Sequence, residues 1–306
     1  MRREIRCTPN AHPADHGWSP RESCHPSTPD DESTRGVLAP AAPRVADTDK
    51  DRHGMAVQFF WRSNDAPLTS HSAWVGRLEP KNRVSGTSAP TLATAWSGPL
   101  DLLAALETHP DLGYLVVHDA VVEMKSTFDE NGGNARNHDL VVRASTPTGE
   151  PVAVFVEAKA GEPLGETVAK QRVIAAKAKQ KNARSNAEKR LVDLVGGLEL
   201  GDPRIEDVRY QLLTAWAGTL ASADGFKHAV LAVHEFRTDA RPKDKTKVNG
   251  TALALFTDVV FGLELSPDRS IPWCVRLPDV AGINAALYLA HVVTDLTAAT
   301  LKSAAN

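Results

Sequence analysis

Residues 137–165 read NHDLVVRASTPTGEPVAVFVEAKAGEPLG. Two apolar runs, 139–145 and 151–158, flank Thr148-Gly149-Glu150-Pro151, whose composition is that of a turn. The spacing predicts a β-hairpin. Its first strand opens on Asp139, and its second closes on Glu157-Ala158-Lys159. Glu157 and Lys159 are two residues apart, so on a strand they share a face. An apolar strand (Val152, Val154, Val156) that ends in a carboxylate and an amine must give those charges partners. Two carboxylates that hold a divalent cation, with a lysine alongside, are one arrangement. A salt bridge from Lys159 to Glu157 or Asp139 at a sheet edge is the other.

Outward from the hairpin the pattern is mixed α and β. Upstream, MAVQFFW (55–61) is strand-like. Ser97-Gly98-Pro99 caps a predicted helix over 99–108, and 114–127 reads as a strand. Downstream, Pro163 is expected to start a helix, and a second helical pattern covers 187–200. Residues 206–222 carry an apolar stripe at helical spacing: Val208, Leu212, Ala215, Trp216 and Thr219. A strand over 228–236, a polar loop over 237–250, a helix over 251–263 and a strand over 271–277 come next. Residues 283–293, INAALYLAHVV, fit either a strand or a helix.

Residues 1–54 differ in kind. They are rich in Pro, Ser, Asp and Arg, with Trp18 as their single aromatic, and they cannot bury enough apolar surface to offset ordering. We expect a disordered segment over 1–54 and one domain over 55–306, with Met55 a candidate start of translation. Cys7, His12, His16, Cys24 and His25 lie in that segment at spacings unlike those of zinc sites. Three cysteines in 306 residues favour a reducing, cytoplasmic setting. No apolar run reaches the roughly 20 residues a membrane span needs. The formal net charge of −3 means that any nucleic-acid surface must be local.

Asp139, Glu157 and Lys159 match the Asp … Glu-X-Lys signature of the PD-(D/E)XK nuclease superfamily, with His138 where the family's proline stands. EAKAGEPLG, with RYQLL (209–213) downstream, resembles an uncharacterised bacterial family placed in that superfamily. The resemblance covers roughly residues 70–295 by element order. It implies a restriction-endonuclease-like α/β core, a central mixed sheet flanked by helices. It implies Mg²⁺ or Mn²⁺ on Asp139, Glu157 and the Ala158 carbonyl, with Lys159 near the attacking water or the scissile phosphate. Gln211 matches a helical glutamine often found near such sites, and Glu123 is the candidate extra carboxylate. Asp119, four residues earlier, is expected on the same strand face as Glu123. Nearby carboxylates are expected to keep Lys159 protonated.

The stretch 168–190 carries Lys170, Arg172, Lys177, Lys179 and Lys181 among its basic residues, against one acid, Glu188. It reads as a surface for a phosphate backbone or as a solvated helix face. Three functions stay open: a metal-dependent nuclease acting on DNA before RNA, a non-catalytic interaction module on the same fold, and an enzyme acting on a small phosphorylated molecule.

Overall fold

The computed structural model describes residues 57–62, 67–83, 87–96, 101–131, 135–197, 202–238, 245–266 and 271–296. The expectations for residues 1–54, for a start at Met55 and for a cap at Ser97 lie outside these residues. The described chain is α/β, built on one eight-stranded mixed sheet. In chain order come β1 (Gln58–Trp61), β2 (Pro67–Leu68), α1 (His71–Arg77), α2 (Ser88–Ala95), α3 (Asp101–Glu107), β3 (Val116–Ser126), β4 (Arg136–Ser145) and β5 (Pro151–Lys159). Next are α4 (Val168–Lys181), α5 (Ala187–Gly196), α6 (Tyr210–Ala221), β6 (His228–Thr238), α7 (Thr246–Phe261), β7 (Trp273–Arg276) and β8 (Ala286–Leu296).

The strands lie in the order β2-β1-β3-β4-β5-β6-β8-β7. β3, β4 and β5 form an antiparallel meander, and β5, β6 and β8 run parallel. Two cores cover the two faces. Trp74, Leu92, Leu102 and Leu106 from α1, α2 and α3 pack on Leu140, Val142, Val154 and Val156. Val168, Leu191, Leu212, Trp216, Leu253 and Phe256 from α4, α5, α6 and α7 pack on Val141, Phe155, Leu231 and Leu289. A sheet buried on both faces needs continuous apolar strands, and β5 is buried from Val152 through Lys159.

The hairpin forms where its spacing predicts, and every residue of the α6 stripe is buried. Several boundaries differ: β4 opens at Arg136 instead of Asp139, and α6 opens at Tyr210 instead of 206, with Val208 extended just before it. The helix expected at Pro163 begins at Val168, because Gly165 turns the chain with φ 63° and Thr167 then caps, accepting from the Lys170 N–H. The helix expected at 251 begins at Thr246, and Asn249 and Gly250 lie buried inside it. The ambiguous tail is a strand, β8. Among the described residues, no helix is long and apolar enough to cross a membrane.

Candidate active site at the strand ends

The site gathers at the carboxyl ends of the parallel strands β5 and β6, where ligands commonly bind in open α/β sheets. The β4–β5 ladder runs in register to Leu140↔Val156, which sets Asp139 opposite Glu157. Asp139 turns its carboxylate onto the next strand, where Oδ2 accepts the Ala158 N–H at 2.7 Å.

Glu157 is 1% exposed. Its Oε1 accepts from Lys159 Nζ and from Gln211 Nε2, and its Oε2 is ion-paired with the Arg136 guanidinium. Lys159 also donates to the Ala158 carbonyl at 3.0 Å. Burial pulls the Lys159 ammonium below its ordinary pKa, and Asp139, Glu162 and Glu235 oppose that pull more weakly. The nearby carboxylates favour the ammonium, as expected, and desolvation works against them.

Local backbone chemistry explains the longer EAKAGEPLG stretch. Glu162 Oε2 accepts the Ala160 N–H at 3.1 Å. Asn249 on α7 accepts the Leu164 N–H at 3.1 Å and donates to the Glu162 carbonyl at 3.2 Å. Gly165 sits so close to Gln211 that a Cβ there would lie 3.2 Å from its Oε1. Arg209 donates to the Gly165 carbonyl at 3.0 Å, and the Tyr210 N–H donates to the Glu166 carbonyl. The turn after β5 thus fixes the start of α6 and aims Gln211 at Glu157.

Glu123 stands at the register position opposite Asp139, between the pairs Val122↔Leu140 and Met124↔His138. The side-chain alternation slips at this level on both strands. Ala120 and Val122 face the α1–α3 layer, yet Met124 packs in the α4–α7 layer. On β4, Val141 lies in the α4–α7 layer, and so does His138, whose ring is 5.0 Å from that of Phe155. Glu123 carries φ 53°, a left-handed backbone that costs a non-glycine residue about 1–2 kcal/mol. Burial first, and Asp139 second, push its carboxyl up to about 7. Asp119 does not join it: the slip separates them, and Asp119 pairs with Arg143 at 2.5 Å.

α6 comes close enough to cover this slip only because residue 218 is glycine. A Cβ at Gly218 would lie 2.8 Å from His138 Nε2 and 3.1 Å from Arg136 Cγ. Gly→Ala inside a helix ordinarily stabilises by about 1 kcal/mol. Here Gly218→Ala is expected to destabilise by about 1–3 kcal/mol through overpacking, read as a fall in the thermal midpoint. A rise in that midpoint would contradict the packing described.

The motif reading missed four buried or nearly buried residues. Arg136 opens β4, and its side chain is 16% exposed. Glu235 on β6 is in register with Lys159; its Oε1 pairs with His291 Nε2 on β8, and its Oε2 accepts from Asn249 at 2.8 Å. Glu235 carried the same signal as Glu157, a carboxylate inside an apolar strand. Arg136 and Asn249 carried none, because a turn and a polar loop are where such residues are commonplace.

The basic run lies on α4 and on the chain just beyond it. Lys170 pairs with Glu166 at 2.9 Å, Arg172 pairs with Glu206 at 2.8 Å, and Lys179 donates to the Ala183 carbonyl at 2.6 Å. Lys177 and Lys181 are exposed.

Residues 67–294 match a family described as a domain of unknown function, DUF6946. The chain belongs to that family. No curated protein and no solved structure matches it. The DUF6946 match runs from β2 into β8, so it contains Glu123, Arg136, Asp139, Glu157, Lys159, Gln211, Glu235, Asn249 and His291. The candidate site thus lies wholly inside the DUF6946 domain. Among the described residues, no group of three or more His, Cys, Asp or Glu is arranged to hold a metal ion. The resemblance names Asp139, Glu157 and the Ala158 carbonyl as ligands. These are hard oxygen donors of the kind Mg²⁺ and Mn²⁺ take from proteins, with water and substrate completing the shell.

Proposed function

We propose that this DUF6946 protein is a metal-dependent nuclease of the PD-(D/E)XK kind, hydrolysing a nucleic-acid phosphodiester, with DNA the first substrate to test. The observation that carries the reading is the convergence of Asp139, Glu157, Lys159 and Gln211 from β4, β5 and α6 at one set of strand ends. The cation implied is Mg²⁺ or Mn²⁺, held by Asp139, Glu157 and the Ala158 carbonyl. When bound, it would stabilise charge on the phosphate and acidify water.

The chain's own groups have separable tasks. Asp139 ties β4 to the Ala158 N–H and so sets the height of the Ala158 carbonyl. Gln211 orients the Glu157 carboxylate from α6. Lys159, held on Glu157 and on the Ala158 carbonyl, keeps Nζ beside the proposed ligands, within reach of an attacking water or a scissile phosphate. Lys177 and Lys181, exposed on α4, suit contact with a phosphate backbone without base selectivity.

One observation favours a second reading, a non-catalytic interaction module. Arg136 and Lys159 both pair with Glu157 without any divalent cation. Calorimetric titration with Mn²⁺ separates the two. The nuclease reading expects saturable binding that Asp139→Asn weakens at least about tenfold, as loss of one of two carboxylate ligands should. No binding by the wild-type protein would favour the module.

A further inference from the structure

Arg136 is the one strong cation in the site that the nuclease reading leaves without a task. Its guanidinium sits on Glu157 Oε2, the oxygen turned away from Lys159 and Gln211. Its Nε is buried and has no hydrogen-bond partner among the described residues. A guanidinium has a planar fork of donors matched to two oxygens of a carboxylate or a phosphate. Here a single carboxylate oxygen is paired, and a donor faces no acceptor. A buried donor without an acceptor is costly, so an arginine held this way is short of an oxygen-rich anion.

A divalent cation on Glu157 Oε2 would compete with Arg136 for that oxygen. Both bear positive charge and compete for one oxygen.

We propose that Arg136 is an exchange residue: it holds Glu157 in the metal-free protein and, when a divalent cation takes that carboxylate, passes to a phosphate of the bound nucleic acid. The exchange makes cation binding and phosphate binding help each other, because each frees what the other needs. It rests on the reading of Asp139 and Glu157 as cation ligands. It adds a positioning residue that the Asp … Glu-X-Lys pattern does not contain, and it names the anion recognised there as a phosphodiester.

The test is equilibrium binding in two parts, with no turnover involved. Mn²⁺ affinity is measured by calorimetry on the full chain and on Arg136→Met. Binding of a fluorescein-labelled DNA oligonucleotide is measured in Ca²⁺ across a salt series. Removing the competitor should tighten Mn²⁺ about tenfold, and the gain should vanish in Arg136→Met combined with Glu157→Gln. Oligonucleotide binding should weaken, with the slope of log affinity against log salt shallower by about one, as for one lost phosphate contact. Arg136→Lys keeps the charge and guards against a folding failure: its Mn²⁺ affinity should stay near wild type while oligonucleotide binding weakens.

If the wild type binds Mn²⁺ and Arg136→Met binds it no more tightly, the exchange is wrong and the nuclease reading stands. Unchanged oligonucleotide affinity and salt slope would likewise overturn it. If neither protein binds Mn²⁺, both readings fall together.

Discussion

Glu157→Ala is expected to lower the unfolding free energy by about 3–5 kcal/mol, the cost of removing one member of a buried ion pair. Glu157 bridges two cations, Lys159 on Oε1 and Arg136 on Oε2, and it accepts from Gln211. Without it, two positive groups face each other in a site that admits little water, and the Gln211 amide loses its acceptor. Lys159 can shed its proton to relieve part of this, since burial has already lowered its pKa. Arg136 has no such outlet at ordinary pH. Urea denaturation would show the loss as a shifted midpoint with an unchanged slope. Glu157→Gln keeps the shape and an oxygen acceptor and should lose less. A loss under about 1 kcal/mol for the alanine variant would mean that the network is not holding the strand ends together.

The second large effect belongs to Glu123. Its carboxyl is raised from an ordinary 4.5 to about 7 in the folded protein. An acid with a raised folded pKa is favoured in its neutral form, so its contribution is intact below about 4.5 and falls as pH rises towards 7. Above that window the penalty is constant and amounts to roughly 3 kcal/mol. Glu123→Gln should therefore match the wild type near pH 4 and exceed its stability by up to about 3 kcal/mol near pH 8. Glu123→Gly should gain a further 1–2 kcal/mol or so at both pH values by relaxing the left-handed backbone, less the entropy cost of glycine. The measurement is denaturant unfolding at the two pH values. A gain from Glu123→Gln that is equal at both would contradict the raised carboxyl. Strain and an unfavourable charge at one residue are the pattern expected where function rather than stability selects the side chain.

The hairpin was legible because two short apolar runs flank a turn, and α6 because its apolar residues keep a helical period. One apolar run opens on Asp139 and the other closes on Glu157-Ala158-Lys159, and Leu212, Ala215, Trp216 and Thr219 recur at helical spacing. β8 was not legible, since a strand buried on both faces shows no alternation to set it apart from a helix. The start of α4 misled because proline suits a first helical turn, whereas Gly165 and Thr167 impose a turn and a later cap. The start of α7 misled because Asn249-Gly250 resembles a loop, and only the tertiary bonds of Asn249 to Leu164, Glu162 and Glu235 show why it is in a buried helix.

Within the site, the pairing of Asp139, Glu157 and Lys159 came from the pleat and the hairpin register. Arg136, Glu235 and His291 did not, because they belong to the far start of β4 and to strands well downstream of the hairpin. Nor did the slip at Glu123 and Asp139, because alternation counts assume an unbroken pleat. That slip is why Asp119 and Glu123 part company.

DNA cleavage decides whether Asp139, Glu157 and Lys159 form a working site. Linear, circular and single-stranded DNA are incubated with Mg²⁺ or Mn²⁺ and the wild-type protein, Asp139→Asn or Lys159→Met. The expected result is cation-dependent cleavage by the wild type and a loss of at least about a hundredfold in either variant, the scale of removing one catalytic group. Cleavage that is equal in all three proteins, or absent from the wild type with both cations, would contradict a catalytic site built on these three residues.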